Sequence, residues 1–468
     1  MTGKRKRKLA MPDTLIIVAS VVLLVAILSW IIPSGTYDYQ EMNINGRIRN
    51  VAIDGTYHTI DKSEVTTTGF LGFFSVLYRG CVEAADVIFM ILCCCGTFGV
   101  VVKTGAFHAG IGTILKKLKG KEILLVPIIM MISGLGGSVF GMASEFYGFY
   151  PLIVGLGVAL GYDAMFGFAI IAVGEFVGFM GATLNPYSVG IAQTISGVEL
   201  YSGTGYRAIC FVIFMAISII YVMVYGRKIK KNPGASVVFG EKNIHAFDRD
   251  ELNEYSFTLK DGLVLLDVLV VLVVLMLGLI KWGWDFPQLC GLFLLMSMIA
   301  AAICKWSPNK WCSEFIDSAK TAMWGCILTG IAKAITVVMQ DAQIMDTVIY
   351  GLSNVLKNAP HAVSAQVMLV VQTLINFFIP SATGQASATM PIMAQLADII
   401  GVSRQTAVLA FQFGDGLSNI FWPTADIVII CGLGGISLQK WYKWFTPLFL
   451  ILFLAQAVLV GIAAGIGY

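Results

Sequence analysis

Charged residues are scarce in this sequence. Asp, Glu, Lys and Arg make up 13% of its 468 residues, whereas 57% are hydrophobic and the mean hydropathy is +0.81. Because a typical soluble domain is about a quarter charged, this composition excludes an ordinary soluble protein and predicts an all-α polytopic membrane protein in contact with lipid. The net charge of +3 is small, and we expect no nucleic-acid partner.

The sequence also lacks the common catalytic and metal-binding motifs. It contains no G-x-S-x-G, H-E-x-x-H or G-x-x-x-x-G-K-[ST] segment. Its ten cysteines form no C-x-x-C pair, and nearly all of them lie in apolar runs. These absences predict that the protein is not an enzyme and that it has no catalytic residue, metal site or cofactor.

The N-terminal segment predicts the orientation of the chain. A basic run, Lys4 to Lys8, precedes an apolar run from Leu15 to Ile32 that is long enough to span a membrane and ends before Pro33. The positive-inside rule therefore places an uncleaved first helix (1–33) in a bacterial cytoplasmic membrane with its N-terminus in the cytoplasm. Residues 34–69 are polar, with Asn45-Gly46 as a hairpin signal, and predict a small extracytoplasmic cap.

The segment 122–161 is the main pointer to function. Two apolar arms of half-membrane length flank a centre rich in glycine and serine that also contains Glu145. Non-helical backbone at membrane depth persists only where protein or a water-filled cavity satisfies its polar groups, so we expect a re-entrant hairpin. The segment 361–400 has the same pattern around P-S-A-T-G-Q-A-S-A-T-M-P. Paired elements of this kind are typical of secondary transporters.

Charge placement favours a hairpin over a single crossing at 122–161. With a hairpin, the basic run Arg227 to Lys231 lies in the cytoplasm, as the positive-inside rule requires. The predicted organisation then has two repeats joined by scaffold helices. Its parts are a first repeat (70–226), a cytoplasmic linker (227–260), scaffold helices (261–305) and a second repeat (306–468).

The two predicted repeats have proline, glycine and acidic residues at corresponding positions. Pro151 lies 240 residues before Pro391, and Gly174-Glu175 lies the same distance before Gly414-Asp415. After each hairpin a spanning run is interrupted by proline, at Gly181 to Pro186 and at Ser418 to Thr424. Because the first repeat starts outside and the second inside, we expect inverted repeats. Each unwound helix would offer free carbonyls to cations and half-helix N-termini to carboxylates.

Acidic residues inside these segments are candidates for the site, because buried charge in a bilayer is costly and is kept for function. Glu175, Asp415 and Asp426 predict charge recognition or coupling to a proton or sodium ion, and none has a basic residue in its own segment. Lys333, in the span before the second hairpin, is either a structural counter-ion or a substrate contact. The predicted substrate-binding side chains are Ser144, Glu145, Thr183, Asn185, Ser381, Thr383, Gln385, Asn419 and Thr424.

The motifs F-G-M-A-S-E, Asn185-Pro186, G-Q-A-S-A-T-M-P and L-A-F-Q-F-G-D-G-L-S-N (409–419) resemble those of the DcuC-type anaerobic carriers of the ion transporter superfamily, and within them the YfcC/ArcD-like basic amino acid antiporters. The resemblance covers essentially the whole length. It implies a homodimer with a scaffold and a transport domain that moves as an elevator. Dicarboxylate and sodium-coupled relatives carry Ser-Asn-Thr at their hairpin tips, whereas this chain has Ala143-Ser144-Glu145 and Ala382-Thr383-Gly384.

Three functions are consistent with these features. The first is an antiporter of basic amino acids such as arginine and ornithine, whose cationic groups the acids would contact. The second is a carrier of four-carbon dicarboxylates or other organic anions, in which the acids would serve coupling cations. The third is an ion channel, which the repeated hairpins disfavour because they suit alternating access.

Overall fold

The computed structural model describes residues 13–44, 47–118, 122–241, 245, 257–357 and 363–468. The basic run Lys4 to Lys8, the Asn45-Gly46 turn and part of the predicted linker (242–244 and 246–256) lie outside these residues. Over the described part, seven helices are long and apolar enough to cross a membrane, which supports the predicted membrane class. They are Thr14–Ile31, Ala85–Lys103, Thr204–Lys231, Leu259–Leu279, Phe286–Ile303, Met323–Asp341 and Leu438–Ile466.

The first helix begins and ends where local chemistry requires. Asp13 caps its N-terminus by accepting a hydrogen bond from the Leu15 amide at 2.9 Å. At the other end Ile32 is extended, as expected of a residue before proline. The predicted first span is thus present at Thr14–Ile31.

The segment after the first helix is β-structured, so the prediction of an all-α protein is incomplete. Strands Tyr39–Ile44 and Arg47–Ala52 pair antiparallel, with Ile44 opposite Arg47, as the hairpin signal predicts. Strands Ser34–Thr36 and His58–Ile60 form a second pair. We call residues 34–69 the cap. Alternating polar and β-branched residues favour strands here because only one face needs burial.

The predicted hairpin at 122–161, hairpin 1, is two helices joined by irregular backbone. Its first arm, Leu125–Leu135, continues into a π-helical turn, Gly136–Phe140, and ends at Gly141, whose φ of 69° favours glycine. A 3₁₀ turn at Ser144–Phe146 leads to the second arm, Phe149–Ala159. We expected this glycine-rich centre to be non-helical, but Gly134, Gly136 and Gly137 remain helical. Gly134 and Gly137 pack against the backbone of the helix Ala164–Met180.

Hairpin 2 has a much shorter turn than the sequence suggests. Its arms are Ser364–Phe378 and Ala382–Ile399, so only 379–381 is irregular. The polar run after Ser381, expected to form the tip, is the beginning of the second arm. Ser381 caps that arm by accepting from the Gly384 amide at 3.3 Å. Polar composition alone therefore overestimated the length of the turn.

A broken helix follows each hairpin. Broken helix 1 is Ala164–Met180 and Val189–Ile195, interrupted at 181–188. Broken helix 2 is Arg404–Ser418 and Ile427–Gly434, interrupted at 419–426. These interruptions, called break 1 and break 2, lie at the predicted prolines.

Long helices complete each half of the chain. Thr204–Lys231 follows broken helix 1 and runs through the basic residues 227–231, so it continues beyond the boundary predicted at 226. Leu438–Ile466 follows broken helix 2. Leu259–Lys281 and Phe286–Ile303 connect the halves.

Corresponding helices recur in the two halves in the same order. Ala85–Lys103 and Met323–Asp341 both have 19 residues, and they are preceded by Phe70–Glu83 and Pro308–Lys320. Next come two helices of 13 residues, Ala106–Leu118 and Met345–Lys357, and then the hairpins and broken helices. The order is that of the predicted repeat.

Close helix packing holds hairpin 1 on broken helix 1. A Cβ atom on Gly178 would lie 2.1 Å from the carbonyl oxygen of Gly134. Hairpin 2 likewise packs on broken helix 2, where a Cβ on Gly414 would lie 2.9 Å from the Thr373 amide nitrogen. Backbones approach this closely only where small residues face each other, as is common between membrane helices.

Candidate functional site

The two broken helices cross at the centre of the molecule. A Cβ on Gly416 would lie 2.4 Å from the Cα atom of Met180, and the Gln412 amide donates to the Phe179 carbonyl oxygen at 2.7 Å. Glycine permits this contact next to Asp415, so the acid is positioned at the junction of the two halves. The crossing brings the two breaks and both hairpins around one region.

Hairpin 1 satisfies the backbone of break 1. The carbonyl oxygen of Ser138, in the π-helical turn, accepts from the amides of Thr183 at 2.9 Å and Leu184 at 3.2 Å. The Ser138 hydroxyl donates to the Gly181 carbonyl at 3.0 Å. A π-turn displaces backbone groups from the regular helical pattern, and here they serve a neighbouring segment. The unwound backbone is therefore held mainly by protein.

A buried arginine occupies a carbonyl that we expected to be free. Arg207, 1% exposed, donates to the Thr183 carbonyl from Nη2 at 3.1 Å and from Nε at 3.3 Å. It also donates to the Ser202 carbonyl and the Tyr468 hydroxyl, at 2.9 and 3.0 Å. Thr183 therefore offers no free carbonyl to a cation. Sequence reasoning missed Arg207 because it begins a separate helix, 24 residues from its partner.

Hairpin 2 touches break 1 as well. The Thr383 hydroxyl donates to the Tyr187 carbonyl at 2.8 Å. The Asn185 side chain turns back on its own segment and accepts from the amides of Tyr187 and Ser188, at 2.9 and 3.2 Å. Asn185 is fully buried, and its oxygen acts as the local cap that an Asx turn supplies.

Break 2 contacts both hairpins in a similar way. The Thr424 hydroxyl donates to the Phe377 carbonyl of hairpin 2 at 2.7 Å. The Tyr147 hydroxyl, from the tip of hairpin 1, donates to the Asp426 carboxylate at 3.0 Å. Each break therefore contacts the hairpin of the other half, which ties the two halves together at their least regular points.

The buried acids of the first half are held by tyrosines and backbone. The Tyr150 hydroxyl donates to Glu175 Oε2 at 2.8 Å, whereas Oε1 makes no hydrogen bond within the described chain. Glu145 accepts from the Ala143 amide at 2.9 Å, so its carboxylate closes its own turn. Asp426 is near enough to both Glu175 and Asp415 to interact with each of them electrostatically.

Asp415 belongs to a polar network in hairpin 2. Asn376 donates to Asp415 Oδ1 at 2.9 Å and to the Gln385 side-chain oxygen at 3.2 Å. Gln385 donates in turn to the Gln372 side chain at 2.7 Å. Asn419, one helical turn after Asp415, faces its carboxylate, and Asp415 Oδ2 makes no hydrogen bond of regular geometry. All these side chains are at most 5% exposed.

The four acids have no cationic partner in the part of the chain that the structure describes. Over the described residues, the ion pairs join other residues, such as Arg79–Asp341 and Arg404–Asp398, and none includes Glu145, Glu175, Asp415 or Asp426. Arg207 is buried, but its donors go to carbonyls and hydroxyls. A set of unpaired carboxylates in a low-dielectric interior is suited to holding protons or a cation.

The predicted site residues therefore fall into two groups. The first group makes internal hydrogen bonds that hold the breaks and hairpins, and it consists of Glu145, Thr183, Asn185, Thr383, Gln385 and Thr424. The second group lies near the crossing or the hairpin tips. Within the described residues, Glu175, Asp415 and Asn419 each have a side-chain oxygen without a regular hydrogen bond. Asp426 accepts from Tyr147, and Ser144 and Ser381 lie at the tips of hairpins 1 and 2.

Several residues of the region carried no recognised signal. Tyr147 and Tyr150 are three residues apart in hairpin 1, and Gln372 and Asn376 are four residues apart in hairpin 2. Their helical spacing in otherwise apolar arms predicts one shared face, which would have identified them as neighbours of the acids. Ser138 carried no such signal, because its bonds depend on the π-turn.

The architecture defines a class: a membrane protein with paired hairpins and broken helices around buried carboxylates, an arrangement typical of transporters. The model of the family described as "C4-dicarboxylate anaerobic carrier", DcuC, matches residues 11–465. The chain belongs to this family, and the resemblance seen in its motifs is confirmed. It is a membrane transporter.

The chain is similar over its whole length to two relatives and to one solved structure. The chain is 32% identical to "Putative basic amino acid antiporter YfcC" of Escherichia coli (strain K12), over 100% of this chain and 99% of the relative. It is 27% identical to an uncharacterised protein of Haemophilus influenzae, over 98% of each. The crystal structure of the YdaH transporter of Alcanivorax borkumensis aligns with a TM-score of 0.44 and 15% identity, over 98% of this chain and 99% of that one.

Proposed function

We propose that the protein is a secondary active antiporter that exchanges basic amino acids such as arginine and ornithine across the bacterial cytoplasmic membrane. The observation that carries this proposal is a set of acids at the crossing of the broken helices, with Glu175 and Asp415 fully buried and Asp426 partly buried, that have no cationic partner among the described residues. Glu175, Asp415 and Asp426 would receive the guanidinium or ammonium group, or a coupling proton or sodium ion. The name of the relative of Escherichia coli supports the same substrate class.

We further propose that the carrier works as an elevator and as a homodimer. Hairpins and broken helices would form the transport domain, because they share close backbone contacts and cross-half hydrogen bonds. The helices outside this unit would form the scaffold and the dimer contact. Hairpin 1 faces the helix Leu259–Lys281 across an apolar cavity of about 450 Å³, where side chains could slide without breaking hydrogen bonds. Inverted repeats and a cytoplasmic N-terminus complete this proposal.

Counterflow in proteoliposomes tests the exchange. Vesicles loaded with unlabelled arginine should accumulate labelled arginine or ornithine, and Asp415→Asn should abolish the accumulation. Asp317→Asn is the matched control, because Asp317 is exposed and pairs only with Lys320 on the surface. Full exchange by Asp415→Asn would remove this acid from the proposed site. Absence of uptake for every basic amino acid would refute the proposal.

A carrier of four-carbon dicarboxylates is the second candidate, favoured by the description of the family. In that case the acids would bind coupling cations, and succinate uptake would be insensitive to added arginine. Running the counterflow screen with succinate, with and without sodium and a pH gradient, separates the two. Steady unitary currents in a planar bilayer would instead indicate the channel.

The orientation can be tested separately by cysteine labelling. A cysteine at Arg227 should react with a membrane-impermeant maleimide only from the cytoplasmic side, and a cysteine at Asp54 in the cap only from outside. Labelling with the opposite sidedness would overturn the orientation and leave the transported substrate undecided. The exposed native Cys312 would be replaced by serine first.

A further inference from the structure

A cavity of about 330 Å³ lies in front of the tip of hairpin 2. Three elements enclose it: the helix Met323–Asp341, the beginning of the arm Ala382–Ile399, and the cap. The lining residues used below are Lys333, Thr336, Ser381, Gly384, Tyr39 and Asn50. No aspartate or glutamate lines the cavity, so its charge comes from Lys333.

Lys333 has no partner in the described part of the chain. No ion pair or hydrogen bond involves its ammonium group, although it is partly buried in a helix able to span the membrane. The carboxylates nearest in the chain are already engaged. Asp341, at the end of that helix, pairs with Arg79, and Asp346, at the start of the next helix, accepts from the Tyr39 hydroxyl at 2.8 Å. A lysine in such a place needs an anion, because an unpaired charge there is costly.

A second unpartnered group faces the same cavity. Thr336 lies one helical turn after Lys333 and is 7% exposed, and within the described residues its hydroxyl makes no hydrogen bond. The opposite wall is the first turn of the arm Ala382–Ile399, with Ser381 at its N-cap. First-turn amides and the helix dipole favour negative charge at this end. An ammonium, a hydroxyl and a helix N-terminus together form a wall suited to a carboxylate.

We propose that this cavity binds the carboxylate of a small substrate, with Lys333 as its charge partner and Thr336 as a hydrogen-bond donor. The proposal rests on the transport function given above and adds the group that is recognised at the cap-side entrance. Gly384 and Gln385 occupy different faces of the same helical turn. Gly384 lines the cavity, whereas Gln385 bonds to Asn376 at 3.2 Å, and Asn376 bonds to Asp415.

In this arrangement the cavity favours a negatively charged group, and the crossing of the broken helices favours a positively charged group. The entrance is positive and the crossing of the broken helices is negative, with one helical turn of hairpin 2 between them. An amino acid with a cationic side chain carries both charges, and its carboxylate would be recognised at the entrance. A dicarboxylate would be recognised there as well, so the cavity's preference does not depend on which substrate the carrier transports.

A pair of ligands, one with and one without a carboxylate, tests recognition of this group directly. Arginine and agmatine share a guanidinium group and differ in the carboxylate, so purified full-length protein in nanodiscs would be titrated with each by calorimetry. Wild type should bind arginine at least tenfold more tightly than agmatine. Lys333→Met should reduce arginine affinity to the agmatine level and leave agmatine unchanged. Lys281→Met, which removes an exposed lysine, is the charge-matched control and should behave as wild type.

Two further variants distinguish a specific loss of binding from misfolding. Thr336→Val keeps the shape and the lysine, and it should weaken arginine binding about threefold to tenfold without affecting agmatine. Lys333→Arg should retain most of the affinity because the charge remains. Equal arginine binding by wild type, Lys333→Met and Thr336→Val would overturn the proposed cavity while the exchange of basic amino acids stood.

Succinate binding distinguishes failure of the cavity assignment from failure of the proposed amino acid exchange. If no basic amino acid binds but succinate does, and Lys333→Met weakens it at least tenfold, the cavity assignment holds and the amino acid exchange falls. If arginine and succinate both fail to bind to folded wild type, both proposals are overturned. Tight binding of agmatine, equal to that of arginine in wild type, also refutes recognition of the carboxylate.

Discussion

Replacing Arg207 by methionine should loosen break 1. The guanidinium holds the Thr183 carbonyl with two hydrogen bonds, and Thr183 and Leu184 in turn donate to Ser138 of hairpin 1. Methionine fills a similar volume but donates nothing. The carbonyl would then keep only a long contact from the Thr204 hydroxyl, at 3.5 Å. The break would lose the group that fixes its unwound backbone.

Two opposing effects decide the magnitude. Removing a buried guanidinium recovers its desolvation cost, which favours the variant. Against this, each buried acceptor left unsatisfied costs about 1–3 kcal/mol, and bonds to a charged group are worth about 1.5–3 kcal/mol. Because the partners of Arg207 are neutral carbonyls and hydroxyls, no charge is stranded, and we expect a net loss of about 3 kcal/mol. This corresponds to roughly a hundredfold more frequent local opening.

Hydrogen–deuterium exchange measures that opening. The amides of Thr183 and Leu184 should exchange roughly a hundredfold faster in Arg207→Met, and by an intermediate factor in Arg207→Lys, which keeps the charge but not the planar fork. Arg79→Met serves as the control, because Arg79 is an exposed arginine paired with Asp341 and its loss should leave break 1 unchanged. Exchange at Thr183 within threefold of wild type in both Arg207 variants would refute the reasoning.

Two further predictions concern packing and the cap. Gly178→Ala should destabilise the protein by about 1–3 kcal/mol, because the new Cβ would lie 2.1 Å from the carbonyl oxygen of Gly134. Thermal unfolding should show this loss. Gly291→Ala is the control and should match wild type, because a Cβ at Gly291 would meet open space. Burial, together with neighbouring Asp346, raises the pKa of Tyr39 above its ordinary value near 10. The contribution of Tyr39 to cap stability is thus full below about pH 10 and is lost as the pH rises through the raised pKa, so proteolysis of the cap should increase above pH 10, and less steeply in Tyr39→Phe.

The elements of this fold were largely predictable because each has a local cause. Proline at 186 and at 423 cannot continue a helical hydrogen-bond pattern, and both breaks lie there. Pro33 ends the first helix, and the alternating residues around 39–52 form the predicted strand pair. These signals act within a few residues of the feature that they determine, so a single sequence contains them.

The lengths of the hairpin turns were less predictable, because helix ends depend on what packs nearby. Glycine in a water-exposed helix is unfavourable, but Gly134 and Gly137 face the backbone of broken helix 1, where a larger residue would not fit. In hairpin 2, the polar residues after Ser381 bond to neighbouring elements instead of water, so they remain helical. The amino-acid composition shows that this segment is polar, but it does not show which groups form hydrogen bonds with its side chains.

The polar contacts of the site were the least predictable part. Arg207 reaches a carbonyl 24 residues away, Tyr147 reaches Asp426 in the other half, and Thr383 reaches Tyr187. Such pairs join segments whose proximity follows only from the crossing of the broken helices. Asparagine and threonine were predicted to contact substrate because they lie in the breaks. In the fold they also satisfy the backbone that the breaks expose, which is a requirement that precedes any ligand.

This requirement constrains the proposed movement. The backbone contacts at Gly178 and Gly414 would have to be lost if either hairpin moved away from its broken helix, and so would the hydrogen bonds that join the hairpins to break 1. The cavity beside Leu259–Lys281 is lined almost entirely by apolar side chains, and the hydroxyl of Ser133, which also lines it, bonds within its own helix. Dispersion contacts can be exchanged for similar ones as surfaces slide, whereas a buried hydrogen bond has no substitute in lipid. If the carrier moves as an elevator, the boundary of lowest cost is therefore at hairpin 1 and this helix. A reducible thiol cross-linker joining cysteines placed at Ile132 and Leu272, which both line this cavity, should then arrest exchange, and reduction should restore it.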